Sequence, residues 1–175
     1  MVRALFPGTF DPIHRGHIDI AERASRLFDQ VIMAVYDKPL KSLLFSPEER
    51  IGLVTESFKE NSKITVVGYS GLTVKFARQV DAQVIVRGLR VFSDFEFEFR
   101  MGLANQRLAS DIETVAFITA EEHTFLSSST VKEIASLFGD VSSMVPPHVE
   151  KALKGKVDGL DGLDGQNSPP NALRD

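Results

Sequence analysis

"FPGTFDPIHRGHIDIAERA", residues 6–24, sets a turn residue every few positions between an apolar beginning and a helical pattern. Pro7, Gly8, Pro12 and Gly16 are not scattered as in a linker; they stand where a strand should hand over to a helix. Pro7 and Gly8 are expected to turn the chain after a first strand and to let its backbone approach a ligand closely. Thr9 supplies a hydroxyl and Phe10 its own amide. Asp11 and Pro12 make a second turn, and Gly16 permits tight packing where the first helix begins. The start of that helix offers unpaired amides and the positive end of the macrodipole, a ready anion site. His14 and His17, at i and i+3, fall on one side of its first turn and can present imidazole N–H donors to phosphate oxygens. The stretch therefore predicts a strand, a phosphate-sized loop and a helix, in that order.

The same alternation continues along the chain. "RALF" (3–6), "QVIMAVY" (30–36), "KITVVGY" (63–69), "AQVIVR" (82–87) and "ETVAFIT" (113–119) are short apolar runs of the kind found in buried parallel strands. Between them the helical spacing of apolar residues predicts helices over 16–28, 46–58, 73–80 and 94–109. Two more are predicted over 128–138 and 146–154. The second opens with Ser46 as N-cap, Pro47 at N1 and Glu49 at N3, a complete helix-start signature. Strands alternating with helices predict a Rossmann-like, doubly wound α/β domain with a five-stranded, mostly parallel sheet covered on both faces.

Composition fits one domain. The chain has 175 residues, 43% hydrophobic and 25% charged, which is ordinary for a soluble globular protein. It has no cysteine, so disulfides, thiolate nucleophiles and cysteine-ligated zinc are excluded. His-x-x-His lacks further ligands at useful spacing, so zinc is not expected and no direct metal ligand is assigned. No run of about 18 apolar residues occurs, and the N-terminus lacks a signal-peptide core; a cytoplasmic location is expected. A net charge of −4 argues against a general nucleic-acid surface. Residues 1–156 read as the folded domain. "VDGLDGLDGQNSPPNALRD" (157–175) reads as a disordered low-complexity tail, with too few apolar residues to offset the entropy of ordering.

In such sheets ligands bind beyond the carboxyl ends of the strands. The segments there are "PGTFDPIHRGH", "DKPLK", "SGLT", "RGLR" and "AEEHTFLSSS". Each has a bland reading: a turn, a surface lysine pair, a helix cap. Their convergence on one sheet edge brings together Lys38, Lys41, Arg87, Arg90, three of the four histidines and a serine cluster, the pattern of a phosphate-rich ligand site.

These residues carry a resemblance. "GTFDPIHRGH" is similar to the T/H-x-G-H signature of the nucleotidylyltransferase superfamily, and "LSSSTVK" (126–132) to its second signature, I-S-S-x-x-x-R/K. "RGLR" followed by "DFEFE", with "PGTFDP" and "SLLFSPEER", resembles the bacterial phosphopantetheine adenylyltransferase family over about residues 2–155. The resemblance implies transfer of the adenylyl group of ATP to 4′-phosphopantetheine, giving dephospho-coenzyme A and pyrophosphate, by direct in-line attack assisted by Mg²⁺. It also implies a hexamer.

Roles follow from the same resemblance. His17, Lys41 and Arg90 are the expected catalytic residues: His17 donating to the α-phosphate, Lys41 binding the attacking phosphate, Arg90 gripping the β- and γ-phosphates. ATP is expected to be bound by Thr9, Phe10, His17, Gly88, Leu89, Arg90, Glu98, by His123, Thr124, Phe125 and Leu126 near adenine, and by Ser127, Ser128 and Ser129. The acceptor is expected at Thr9, Lys41, Leu72, Thr73, Val74, Arg87 and Asn105. Arg15 and Lys38 tune the field only. The chain departs from the common pattern at His123 and Thr124, where an aromatic often stands, at Leu126, at Lys132, which lacks the planar fork of arginine, and at Gln106. Two other readings stand beside this one: a related nucleotidylyltransferase with another acceptor, such as nicotinamide mononucleotide or a phospho-alcohol, and a non-catalytic module that senses ATP or coenzyme A. "RGLR" and "DFEFE" speak against the first, the intact His17, Lys41 and Arg90 against the second.

Overall fold

The structure, a computed structural model, describes residues 1–37 and 43–161. Its elements alternate as β1 (Arg3–Gly8), α1 (Arg15–Leu27), β2 (Gln30–Tyr36), α2 (Pro47–Ser57), β3 (Ile64–Tyr69), α3 (Thr73–Gln79), β4 (Val84–Leu89), α4 (Phe92–Leu108) and β5 (Glu113–Ile118). A 3-10 turn at Glu121–His123 leads to α5 (Ser128–Ser136) and α6 (Pro147–Asp161). The five strands form one sheet in the order β3-β2-β1-β4-β5. Every pair is parallel, so the sheet is wholly rather than mostly parallel. Each strand returns through a helix, which is what parallel neighbours require. The chain steps outward from β1 to β3, crosses back to β4 on the other side of β1, and steps outward again. The direction reverses between β1 and β4, and a crevice opens there.

Side chains alternate across the sheet. Ala4, Phe6, Val31, Met33, Val35, Val84 and Val86 face a core closed by α1, α2, α5 and α6, through Ile20, Val54, Val131, Val149 and Leu153 among others. Leu5, Ile32, Ala34 and Ile85 face a smaller core closed by Val74 and Ala77 of α3 and by Ala109 and Ile112 after α4. The helix-start signature at Ser46 is realised. Ser46 Oγ accepts from the Glu49 amide at 3.2 Å, and Glu49 Oε2 accepts from the Ser46 amide at 2.8 Å.

Three boundaries differ from expectation. Pro7 and Gly8 do not turn the chain; they complete β1, opposite Ala34 and Val35. The turn comes two residues later, at Phe10, whose φ is +50°. Second, β4 begins at Val84, because Ala82 is packed into the smaller core beside α3; Arg87, Gly88 and Leu89 thus lie on the strand, and only Arg90 of "RGLR" lies beyond it. Third, α6 runs through residues 157–161, which were assigned to the tail. Val157 anchors them in the main core, 8% exposed. The rest of the expected tail lies outside the described residues.

Candidate active site

A cleft of about 880 Å³ opens at the carboxyl ends of the strands. Of the residues expected to bind ligand, Thr9, Phe10, His17, Leu72, Thr73, Arg87, Gly88, Arg90, Glu98 and Ser127–Ser129 line it. Four segments separated by up to 120 residues thus meet where the strand order reverses.

The two histidines are set by their neighbours. Gly8 has no Cβ, and one placed there would lie 2.7 Å from the Phe10 ring. That gap admits the Phe10 ring, which is 2% exposed and meets the His17 ring edge-on at 5.0 Å. The His14 ring stacks on that of His17, their centroids 3.6 Å apart. The His14 amide donates to His17 Nδ1 at 3.3 Å. Nδ1 is therefore an acceptor, and in the neutral ring the proton sits on Nε2. Burial holds the His17 pKa well below its ordinary value, reinforced by His14, Arg90 and Arg87. His17 is thus a neutral Nε2–H donor at pH 7.

Burial, with Arg90 and His123, lowers the pKa of His14 from 6.5 to about 3. The unfolded chain therefore binds a proton at His14 that the folded protein refuses across this window. Stability due to this group is full above about pH 6.5 and is lost as pH falls towards about 3, at up to about 1.4 kcal/mol per pH unit. Urea unfolding measured through that window checks it: His14→Gln is expected to flatten the acid limb.

Both arginines of the cleft are already paired. Arg87 donates from Nε and Nη2 to the two oxygens of Glu98, each at 2.6 Å, and from Nη1 to the Pro7 carbonyl at 3.3 Å. Arg90 donates from Nε and Nη2 to Asp94, at 3.0 and 3.2 Å, and from Nη1 to the Leu126 carbonyl at 2.7 Å. Burial pushes the Asp94 carboxyl up, but hydrogen bonds and charge from Arg90, with help from main-chain amides, outweigh it and leave the pKa below the ordinary value. The cationic cluster expected from "RGLR" is therefore a balanced one among the described residues: two guanidinium groups and two carboxylates. Glu98 and Arg87, assigned to opposite ends of the ligand, form one bidentate pair. Arg87 reaches it because alternation along β4 points Arg87 towards the α3 and α4 side and Gly88 towards α1.

Other expected residues lie elsewhere. Val74 is 2% exposed in the smaller core, and Leu126 is 1% exposed and reaches the site only through its carbonyl. Leu89 lines a separate cavity of about 260 Å³ beneath α4. Asn105, His123, Thr124 and Phe125 do not line the cleft. His123 borders it indirectly, its Cβ 3.5 Å from where a Cβ on Gly16 would stand. Arg15 turns outward to the Ser142 carbonyl. Lys38 and Lys41 lie outside the described residues. Lys132 does not reach the cleft; it pairs with buried Asp11 at 2.6 Å. Asp11 also accepts from the amides of Leu44 and Phe45, at 3.1 and 2.9 Å.

The cleft also holds residues that sequence reasoning passed over: Tyr36 and Tyr69 at the ends of β2 and β3, Asp94, Phe97, Met101, and Thr119, whose buried Oγ1 has no partner among the described residues. Asp94 was findable, four residues after Arg90. The tyrosines were findable as strand-terminal residues on the binding edge. Phe97 and Met101 carry no local signal that separates a cleft wall from a helix surface.

The sequence profile of the cytidylyltransferase-like family matches residues 5–134. The chain is 56% identical over 154 residues to a phosphopantetheine adenylyltransferase of Roseiflexus sp. strain RS-1, covering 88% of this chain and 96% of that one. Proteins of the same name from Desulfitobacterium hafniense and Gloeobacter violaceus are 51% and 49% identical. These matches cover 86% and 89% of this chain and 92% and 97% of theirs. A strand-order reversal lined by the paired histidines, the serine cap of α5 and the arginines of "RGLR", together with this likeness over nearly the whole domain, means that the chain belongs to the phosphopantetheine adenylyltransferases, nucleotidyltransferases of the cytidylyltransferase-like family.

Proposed function

We propose that the protein transfers the adenylyl group of ATP to 4′-phosphopantetheine. An oxygen of the acceptor phosphate forms a bond to the α-phosphorus, the bond to the bridging oxygen of the β-phosphate breaks in line with it, and pyrophosphate leaves. The observation that supports this reading best is His17: half-buried, neutral and fixed in one tautomer on the wall of the cleft. A donor of that kind stabilises charge as it builds on the α-phosphate and need not give up its proton.

The remaining roles are assigned around it. Thr9 and the Phe10 amide receive the phosphates at the point of attack. Arg90 has five N–H donors, of which three are used by Asp94 and Leu126; two remain for the β- and γ-phosphates. Ser127 caps α5 and Ser128 donates its hydroxyl to the Pro12 carbonyl, so the Ser129 hydroxyl and the amides at the start of α5 are assigned to the phosphates. Leu72, Thr73 and the Arg87–Glu98 pair border the acceptor, and Lys41 is assigned to its phosphate. Most of this catalysis is positioning.

Mg²⁺ suits this cleft as an ion that arrives on the triphosphate. The two arginines are offset by Asp94 and Glu98, so the described lining adds little net positive charge, and no cluster of three possible metal ligands occurs among the described residues. When bound, the ion would neutralise phosphate charge, held by phosphate oxygens and water. A homo-oligomer, a hexamer by family resemblance, is supported by one face of α4, where Phe92, Phe95 and Phe99 stack in a row, Phe92 86% exposed and the other two half-exposed. No described helix is long and apolar enough to cross a membrane; we assign the protein to the cytoplasm.

Pyrophosphate release with ATP and Mg²⁺ tests the function, with 4′-phosphopantetheine, nicotinamide mononucleotide or glycerol 3-phosphate supplied in turn and CTP also tried. Turnover is expected with phosphopantetheine and ATP alone. Turnover only with another acceptor would replace the substrate and keep the chemistry. ATP binding without turnover on any pair would make the protein a nucleotide sensor.

A further inference from the structure

Arg50 lies on α2 and does not line the cleft. It heads the fully buried side chains by volume, with no exposed surface. Its guanidinium donates to four main-chain carbonyls: Thr9 and Tyr36 from Nη1, both at 2.7 Å, Phe45 from Nε at 3.3 Å, and Asp37 from Nη2 at 3.4 Å. The acceptors come from the turn after β1, the end of β2 and the residue before the Ser46 cap. A buried cation carries a desolvation cost that an apolar side chain of equal volume avoids. Filling space therefore does not account for arginine here. What the planar fork adds is direction: its donors are fixed relative to one another and can hold several segments in one arrangement.

One of the four contacts bears on the chemistry. The Thr9 carbonyl belongs to the same peptide unit as the Phe10 amide. That unit is planar and trans, so its C=O and N–H point in opposite directions. Arg50 holds the carbonyl on the α2 side, which turns the Phe10 N–H the other way. The Phe10 ring that buttresses His17 hangs from the same unit, at a φ of +50° that phenylalanine adopts only under constraint. Tyr36 lines the cleft, and Asp37 and Phe45 bracket the sequence that contains Lys41.

We propose that Arg50 is a positioning residue for adenylyl transfer: by fixing the Thr9–Phe10 peptide plane it aims the Phe10 amide, and with it the His17 buttress, at the transferred phosphate. The inference rests on the phosphate-binding role proposed above for Thr9 and Phe10.

Arg50→Lys and Arg50→Gln test it, through steady-state kinetics at a temperature where circular dichroism shows each variant folded, and through the ¹H–¹⁵N signal of the Phe10 amide on addition of ATP. Arg50→Lys keeps the charge but not the fork. It is expected to fold and to lose about 10- to 100-fold in kcat, and its Phe10 signal should move less than half as far as in the unsubstituted protein. A purely structural arginine would lower the melting temperature and leave kcat per folded molecule and the Phe10 response unchanged; that result overturns the proposal. So does failure of both variants to fold, since Arg50 would then serve the fold as a whole. If the unsubstituted protein turns over no acceptor, the assigned reaction falls, while the Phe10 response to ATP still decides the role of Arg50.

Discussion

His17→Ala is expected to lower turnover by about two to three orders of magnitude, the usual loss for one transition-state donor. The apparent affinity for ATP should change far less. The asymmetry follows from the protonation state. Burial keeps the imidazole neutral, so it attracts a ground-state phosphate as a dipole and not as a full charge, and its hydrogen bond strengthens as the α-phosphate takes up charge. Initial rates at saturating ATP, alongside ATP titration of the variant, separate the two terms. If affinity collapsed while saturated turnover survived, His17 would be a ground-state ligand and the assigned role wrong. His17→Asn keeps an N–H donor without the ring and should recover part of the loss. It should not recover all of it, because the edge contact to Phe10 and the stack on His14 that orient the donor disappear.

Asp11→Ala is expected to destabilise the protein by about 3–5 kcal/mol, the range for removing one partner of a buried charge network. The Asp11 carboxylate is 1% exposed and is shared by Lys132 and the amides of Leu44 and Phe45. Its loss leaves two amides and an ammonium without an acceptor at once. Lys132→Ala should cost less, because the two amides still hold the carboxylate and Lys132 is a quarter exposed. The double variant should lose less than the sum of the two, since the pair acts as one unit. Urea unfolding of the three variants measures this; additive losses would mean that Asp11 and Lys132 act independently.

The fold was legible in the sequence wherever one segment carries its own signal. After Gln30, "QVIMAVY" carries only apolar and aromatic residues because β2 is covered on both faces, and its boundaries, 30–36, are those of the strand. "SPEER" declares its helix start through contacts three residues apart. The reading failed by a few residues where a run of one character serves two structures: Ala82 packs beside α3 although it continues the apolar run of β4. At the site, glycines, histidines and serines could be placed because few other roles explain them at those positions. Val74 and Leu126 could not be told from core residues, because an apolar side chain beside a cleft and one behind it obey the same preference. Arg50 and Asp11 were missed for a different reason. Their partners lie 5 to 121 residues away and are mostly main-chain groups, which carry no side-chain signature. A trace existed for Arg50: it stands four residues before Val54 on the buried stripe of α2.

The placement of β1 in the middle of the sheet has a consequence for biosynthesis. Its partner on one side, β2, follows within 30 residues, but Ala4 and Leu5 pair on the other side with Val84 and Ile85. A chain leaving the ribosome can close β1, β2 and β3 early, with Thr9, His14 and His17 at their edge, while the far flank of β1 stays bare until β4 has emerged. The cleft comes into being only when β4 docks and delivers Arg87 and Arg90. Half a binding site is thus made first, and some 80 residues of translation separate the bare flank of β1 from its partner, Ala4 from Val84. Contacts of such separation slow folding and leave a strand edge open to wrong partners meanwhile. The arrangement that creates the crevice for catalysis is thus also the one that keeps the newborn chain vulnerable longest.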